Sequence, residues 1–535
     1  MINNGTPRAG NAAVAIMVLL AVVVLAAAGF LFFGFSVGTS SAPVRVPPGG
    51  ATSTAEPVKP LLEGWNEPAA AIVLTGEQHG YIEPCGCSEN QSGGLARRAD
   101  LVRQLREDRE WPVTAFDLGG ALRGDRVGRA QELMKFEFTR DAQAIMQYAA
   151  AALGREEAQL GADTLFQIHS QEAADNEQTP PFVAANLTLY GARDIGTPLE
   201  YRVVEVGDVR IAVTAVFGES TREATFPGGV GPDQLLIDLE PPTEALARVV
   251  PAMKAEEPDI MLLLSHADGD ESRQLAEQFP DFQIVVTAEG PEDPLPRPEM
   301  IGETMLLQVG QKGKHAGVVG YYPDAEEPLK FELVEIDQQR FEEVDAIHEL
   351  MQHYQTRLEE QRPDLQEPPL DHPSGADFVG VETCARCHTK AYNIWKKSRH
   401  AHAYESLIIG RKGQEENWIP RNFDAECLAC HVTGWDAQSA WRYDSGFVDK
   451  ATTPHLAGQQ CENCHGPGSQ HSELELALLD GGAVTDEHIE QRRAMQLTRE
   501  QARDRLCIKC HDLDNSPNFD FDTYWPKVEH KGKLN

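Results

Sequence analysis

Four copies of one five-residue pattern constrain this 535-residue chain more than anything else in it. They are Cys384-Ala-Arg-Cys387-His388, Cys427-Leu-Ala-Cys430-His431, Cys461-Glu-Asn-Cys464-His465 and Cys507-Ile-Lys-Cys510-His511. Two thiols one helical turn apart can each form a thioether with a haem vinyl group. The imidazole that follows then lies under the iron as its proximal ligand. With 10 Cys and 17 His in the chain, chance would supply about 0.006 such patterns. Zinc sites built on Cys-x-x-Cys pairs normally use four protein ligands per metal, without a His directly after each pair. The spacing therefore predicts four covalently bound haem c groups and a protein that moves electrons.

Six further histidines lie in the same region: His400, His402, His455, His471, His488 and His530. A second imidazole makes an iron six-coordinate and suits it to electron transfer. An iron without one leaves a place for a small molecule. His400 sits on an expected helix just after the first motif and is preferred over His402. His471 follows a Gly-Pro-Gly turn that would carry the chain back over a haem face. His530 lies near the C-terminus. The expected iron ligands are thus His388, His431, His465 and His511, with His400, His471 and His530 opposite them; His455 and His488 are weaker candidates.

Cys384-x-x-Cys-His388 continuing to Trp395-x-x-Ser-x-His400, then Cys427-x-x-Cys-His431-x-x-Gly434, then Gly458-x-x-Cys461-Glu-x-Cys-His465-Gly-Pro-Gly468, resembles the tetrahaem cytochrome c family of nitrifying bacteria, whose best-known member accepts electrons from hydroxylamine oxidoreductase. The resemblance implies short helices wrapped around stacked haems, three of them with two His ligands and one five-coordinate. It makes His400 and His471 distal ligands. It also makes the haem on Cys427, Cys430 and His431 the five-coordinate one. After the fourth motif the resemblance fades, so His530 has no counterpart.

Lys+Arg 47 against Asp+Glu 83 gives a net charge of −36. Such a surface repels nucleic acid and anionic headgroups and attracts basic redox partners, by a steering that salt weakens. One segment, Ala12 to Phe35, is uncharged and apolar throughout. About 24 residues suffice for a helix across a bilayer, whereas a secretory signal has a shorter apolar stretch of about 7–15 residues. The segment is expected to be an uncleaved anchor that holds the protein on the periplasmic face of a membrane. Covalent haem attachment takes place on that side, which agrees.

Between anchor and cysteine motifs, apolar runs at Ala71–Leu74, Pro112–Phe116, Phe182–Ala185, Val209–Val216, Ile260–Leu264 and Phe282–Val286 suit buried strands. Helical patterns at Leu95–Arg106, Ala130–Ala152 and Thr243–Lys254 alternate with them, as in a layered α/β domain. Ile72-Val-Leu-Thr-Gly-Glu77-Gln-His79, Gly93-Gly94-Leu-Ala-Arg97-Arg98, Phe116-Asp117-Leu-Gly-Gly120, Ala185-Asn186-Leu and Leu264-Ser-His266 are similar to the 5′-nucleotidase and metallophosphoesterase family. That family's fold is a two-sheet sandwich, and it clamps a phosphate between two metals. The ligands depart from the family pattern. Glu77-Gln-His79 stands for Asp-x-His, Gly119-Gly120 for Gly-Asp, Gly154-Arg-Glu-Glu157 for Gly-Asn-His-Glu, and Thr287-Ala-Glu-Gly290 for Gly-His-x-His. His79, Asn186 and His266 alone do not complete the site. A scaffold without catalytic metals is expected. Cys85 and Cys87 beside this cleft could hold a metal with His79 or form a redox-active disulfide.

The expected fold class is multidomain. Residues 1–35 form a cytoplasmic start and transmembrane helix, 36–68 a flexible linker, 69–337 a metallophosphoesterase-like α/β sandwich, 338–377 a charged helix and Pro-rich linker, and 378–535 a mostly helical multihaem cytochrome c domain. Three functions fit. The first is an anchored electron carrier. The second is a haem redox enzyme acting on a small nitrogen or sulfur compound. The third is a phosphoesterase with a cytochrome attached, against which the missing ligands count.

Overall fold

The computed structural model describes residues 59–84, 91–175, 178–226, 235–410 and 417–530. Its larger part is a sandwich of two six-stranded mixed sheets. In the first, Ala70–Thr75, Val113–Asp117, Tyr148–Ala152 and Phe182–Val183 run parallel. The antiparallel hairpin His315–Tyr321 and Leu329–Glu335 completes the edge beside Ala70–Thr75. In the second, Val209–Phe217, Ile260–His266, Ile284–Thr287 and Thr304–Gln308 are parallel. Arg202–Val206 and Glu299–Ile301 close its edges antiparallel.

Alternation along each strand builds the layers. Ile72, Leu74 and Phe116 meet Ile211, Val213, Leu262, Leu264 and Ile284 between the sheets. Ala71, Val73 and Ala115 face outward against Leu101, Met134 and Phe138. On the far side Ala212, Val216 and Leu263 receive Leu246, Val249 and Leu275. Both sheets are therefore covered on both faces, which is why their strands read as unbroken apolar runs. The two-sheet sandwich implied by the resemblance is present.

Three sequence expectations change. The helical pattern over 130–152 stops at Ile145, and Tyr148–Ala152 is a strand. Gln147 takes a positive φ of 58°, which ends the helix, and the run of small alanines fits an inner strand covered on both faces. The charged helix spans Asp345–Gln361 and docks Ile347, Met351, Tyr354 and Leu358 on the sandwich; this spacing of three and four residues makes one apolar stripe. The third change corrects the fold class. No helix among the described residues is long and apolar enough to cross a membrane, and the expected span, residues 12–35, lies outside those residues. The transmembrane element is dropped from the fold class.

The C-terminal part is built of short helices and turns around one small apolar cluster that includes Phe378, Tyr404, Leu428, Val432, Trp435 and Phe447. Beyond Ala457 the buried apolar residues among those described are Ala502 and Phe521. Side-chain packing alone gives this last stretch almost no core. It nevertheless belongs with the sandwich to one compact unit, Val58–Asn535.

Candidate haem-binding site and its seat on the sandwich

Each motif begins on about one turn of helix. The turns are Val381–Ala385, Ala425–His431 and Cys461–His465, with a 3-10 turn at Cys507–Lys509. The backbone bonds from His388 N to Cys384 O and from His511 N to Cys507 O, both 2.9 Å, bring each imidazole back under its first cysteine. None of the eight cysteines is in a disulfide, and Cys387 and Cys464 are exposed.

The histidines fall into pairs. His388 faces His471 with ring centres 6.4 Å apart, His511 faces His400 at 6.2 Å, and His465 faces His530 at 5.9 Å. A nitrogen binds a metal at about 2 Å and lies about 1.1 Å from its ring centre, so two rings on opposite sides of one iron stand about 6 Å apart. Each pair joins a motif histidine to one of the three expected distal histidines, and the set fits axial ligation of haem c. Four of the remaining nitrogens also suit it. Nδ1 of His431 lies 2.7 Å from Ala403 O, that of His465 2.7 Å from Met495 O, that of His511 3.0 Å from Ser516 Oγ and that of His530 3.0 Å from Val528 O. Such bonds leave Nε2 free for a metal and fix the ring. Burial, then the neighbouring His511 and His431, push His400 down to about 4. It is therefore neutral at pH 7, as a ligating imidazole must be.

The other candidates are placed elsewhere. His402 and His455 are exposed. His488 is consumed as a cap, with Nδ1 3.1 Å from the Thr485 N–H that donates to it and Nε2 3.1 Å from Leu474 O.

A cluster of polar side chains lies where the parallel strands end. His79 Nε2 is 3.5 Å and His266 Nε2 3.8 Å from the Glu77 carboxylate. The other groups are engaged by backbone. Glu157 accepts from the N–H of Gly120, Ala121 and Gly154 at 3.1, 2.7 and 2.9 Å, so its carboxylate is held by backbone donors. Asn186 accepts from Phe217 N at 2.8 Å and donates to Phe217 O and Glu240 O at 2.8 and 3.0 Å. His266 Nε2 accepts from Arg155 N at 3.0 Å. This donor set does not fit a two-metal clamp. Cys85 and Cys87 lie outside the described residues.

Sequence reading missed how the sandwich grips the cysteine motifs. The helix Ala130–Ile145 and the loop before it meet the start of the second motif's helix, Ala425–His431. Lys135 Nζ is 3.0 Å from Glu426 Oε2, Arg126 also donates to Glu426, and Gln131 Nε2 donates to Asp424 Oδ1 at 2.9 Å. Arg126 and Arg129 reach the backbone carbonyls of Gln438, Ser439 and Ala440. Near the fourth motif, Asp514 accepts from Tyr81 OH at 2.8 Å and pairs with Lys312 at 2.8 Å. Glu83 pairs with Arg421 at 2.8 Å. Partners that lie about 290 residues apart, as Lys135 and Glu426 do, leave no local pattern in the sequence.

Comparison with known proteins bears on the C-terminal part. Residues 383–466 match the family described as cytochrome c554 and c-prime. Cytochrome c-554 of Nitrosomonas europaea is 27% identical over 171 residues, covering 29% of this chain and 68% of that protein. The multiheme cytochrome MtrA of Shewanella baltica is 30% identical over 106 residues, 20% of this chain and 28% of that protein. Solved structures similar to the chain include a 5′-nucleotidase precursor from Thermus thermophilus (21% identity, 62% of this chain, 67% of that one, TM-score 0.45). A sulfate thiohydrolase from the same organism, SoxB, is another (14%, 64%, 69%, TM-score 0.43). The relatives imply covalently bound haem c and support an electron-transfer cytochrome. The resemblance carried by the cysteine motifs therefore stands: the C-terminal part of this chain is similar to cytochrome c554 and other multihaem cytochromes c.

Proposed function

We propose that the chain is an extracytoplasmic tetrahaem cytochrome c that passes electrons between redox partners. Cys384, Cys387, Cys427, Cys430, Cys461, Cys464, Cys507 and Cys510 hold the four haems, and His388, His431, His465 and His511 are the proximal ligands. His471 is distal to His388, His400 to His511 and His530 to His465. The observation that carries this reading is the set of three imidazole pairs at 6.4, 6.2 and 5.9 Å. When bound, haem supplies a one-electron ferric/ferrous couple. The chain's own residues hold it, and Nδ1 contacts orient the imidazoles of His431, His465, His511 and His530. The sandwich acts as the seat of the haem-bearing part, since Glu157, Asn186 and His266 are spent on backbone.

The test is a haem count with electron paramagnetic resonance of the oxidised protein. Four haems per chain are expected, with low-spin signals from at least three. His471→Ala should convert one low-spin signal to high-spin and leave the others. Two haems per chain, or an unchanged spectrum in His471→Ala, would sink the assignment. The haem on His431 is the one that the resemblance makes five-coordinate, and a high-spin signal that responds to nitric oxide in the unmodified protein would locate it.

A further inference from the structure

Net charge hides a local reversal at the first motif. The chain averages about one carboxylate per six residues, yet none lies between Thr383 and Tyr404. The same stretch carries Arg386, Lys390, Lys396, Lys397 and Arg399, all exposed. They lie on two short helices, Val381–Ala385 and Thr389–Trp395, and the turns that follow them, the same segment that carries Cys384, Cys387 and His388. No carboxylate among the described residues lies within ion-pair reach of Arg386, Lys396, Lys397 or Arg399. The two carboxylates on the turns beside the first motif are engaged. Glu382 accepts from Tyr392 OH at 3.4 Å. Glu462 is buried and turned inward, accepting from the N–H of Val379, Gly380 and Gly468 at 3.0, 2.8 and 2.8 Å.

We infer that this face docks an acidic redox protein, one whose redox centre is rimmed by carboxylates. The inference rests on the tetrahaem reading, because the first motif, Cys384 to His388, lies on the same basic segment and would hold the first haem beside it. The Debye length at 0.15 M salt is about 8 Å, so at contact the local patch outweighs the distant −36. Docking rims of this kind act through encounter rate. An anionic membrane is less suited, because it would face the whole acidic chain across a wide plane. The reaction served is a one-electron transfer: the donor is oxidised by one electron, the chain is reduced by one, and no bond or proton moves.

The experiment uses the haem-loaded full chain and two donors in stopped flow, a reduced acidic plant-type ferredoxin and the cationic complex hexaammineruthenium(II). The rate constant with ferredoxin should fall as salt rises from about 20 to 200 mM. It should also fall about tenfold at low salt in the double variant Lys396→Glu/Lys397→Glu, with reduction by the ruthenium complex undiminished. A ferredoxin rate that rises with salt and ignores the double variant would overturn the proposal. So would loss of binding to phosphatidylglycerol vesicles with no change in the ferredoxin rate, which would assign the patch to a membrane. Reduction by neither donor would defeat the electron-transfer reading itself.

Discussion

Lys135 is the residue on which the two parts of the protein most depend. Its ammonium is 4% exposed and stands 3.0 Å from Glu426 and 3.7 Å from Glu132. Burial works to lower the Lys135 pKa, but Glu132 and Glu426 overrule it and raise it. Burial works to raise the Glu426 pKa, but Lys135 and Arg126 hold it below the ordinary carboxylate range. The signs fix a pH window. Glu426 contributes fully above the ordinary 4.5, and its contribution is lost as pH falls through the lower folded value. Lys135 contributes fully below the ordinary 10.5, and its contribution is lost as pH rises through the higher folded value. Replacing Lys135 with Met leaves two carboxylates facing each other with one cation fewer. The expected loss is about 3 kcal/mol, the lower end for a broken buried pair because Glu426 keeps 32% of its side chain exposed. Urea denaturation at pH 7 would measure it. A loss below about 1 kcal/mol would mean that Arg126 suffices.

At the scale of elements, the helix Ala425–His431 shows how a motif is aimed. Asp424 caps it, accepting from Glu426 N at 3.0 Å, and the same carboxylate takes Gln131 Nε2 at 2.9 Å and Gln355 Nε2 at 3.2 Å. One side chain thus starts the helix and fastens it to two helices of the sandwich. Asp424→Asn should keep the cap and much of the network. Asp424→Ala should cost about 2 kcal/mol, the loss of a cap plus two buried amides left without an acceptor. Thermal melts of the pair would separate these outcomes, and equal melting points would show that the contact is idle. The cysteine spacing was legible in the sequence because the attachment motif is local, whereas the seating of His400, His471 and His530 opposite motif histidines depends on contacts between distant turns. Strands covered on both faces were legible as apolar runs. Tyr148–Ala152 was not, since four alanines read as helix until the neighbouring strands demand small side chains. The role of Glu157 was also not legible, because two of its three backbone donors, Gly120 and Ala121, lie on a turn more than 35 residues away.

For the whole molecule, the question is whether the haem-bearing part hangs from the sandwich or is built into it. Ile419 is 7% exposed inside the sandwich's own apolar layer, and Phe423 packs against the same cluster. Those two residues enter the layer that Met134, Phe138 and Tyr354 line, next to the Lys135–Glu426 pair. Among the described residues beyond Ala457, Ala502 and Phe521 are the buried apolar ones, and Asp514 ties this stretch to Lys312 and Tyr81. A part with so little core of its own cannot hold its shape by apolar burial. Its stability must come from bound haem and from the sandwich together. Loss of the haem-domain signal and loss of sheet structure should therefore coincide in urea, followed by Soret absorbance and by far-ultraviolet circular dichroism on one sample. Ile419→Ala should lower both midpoints together by about 2–4 kcal/mol in stability, the range for truncating a buried aliphatic side chain. Two separated transitions, with only one of them moved by Ile419→Ala, would instead describe a tethered bead on an independent scaffold. The fastening at Lys135, Asp424 and Asp514 would then be surface contact without energetic consequence.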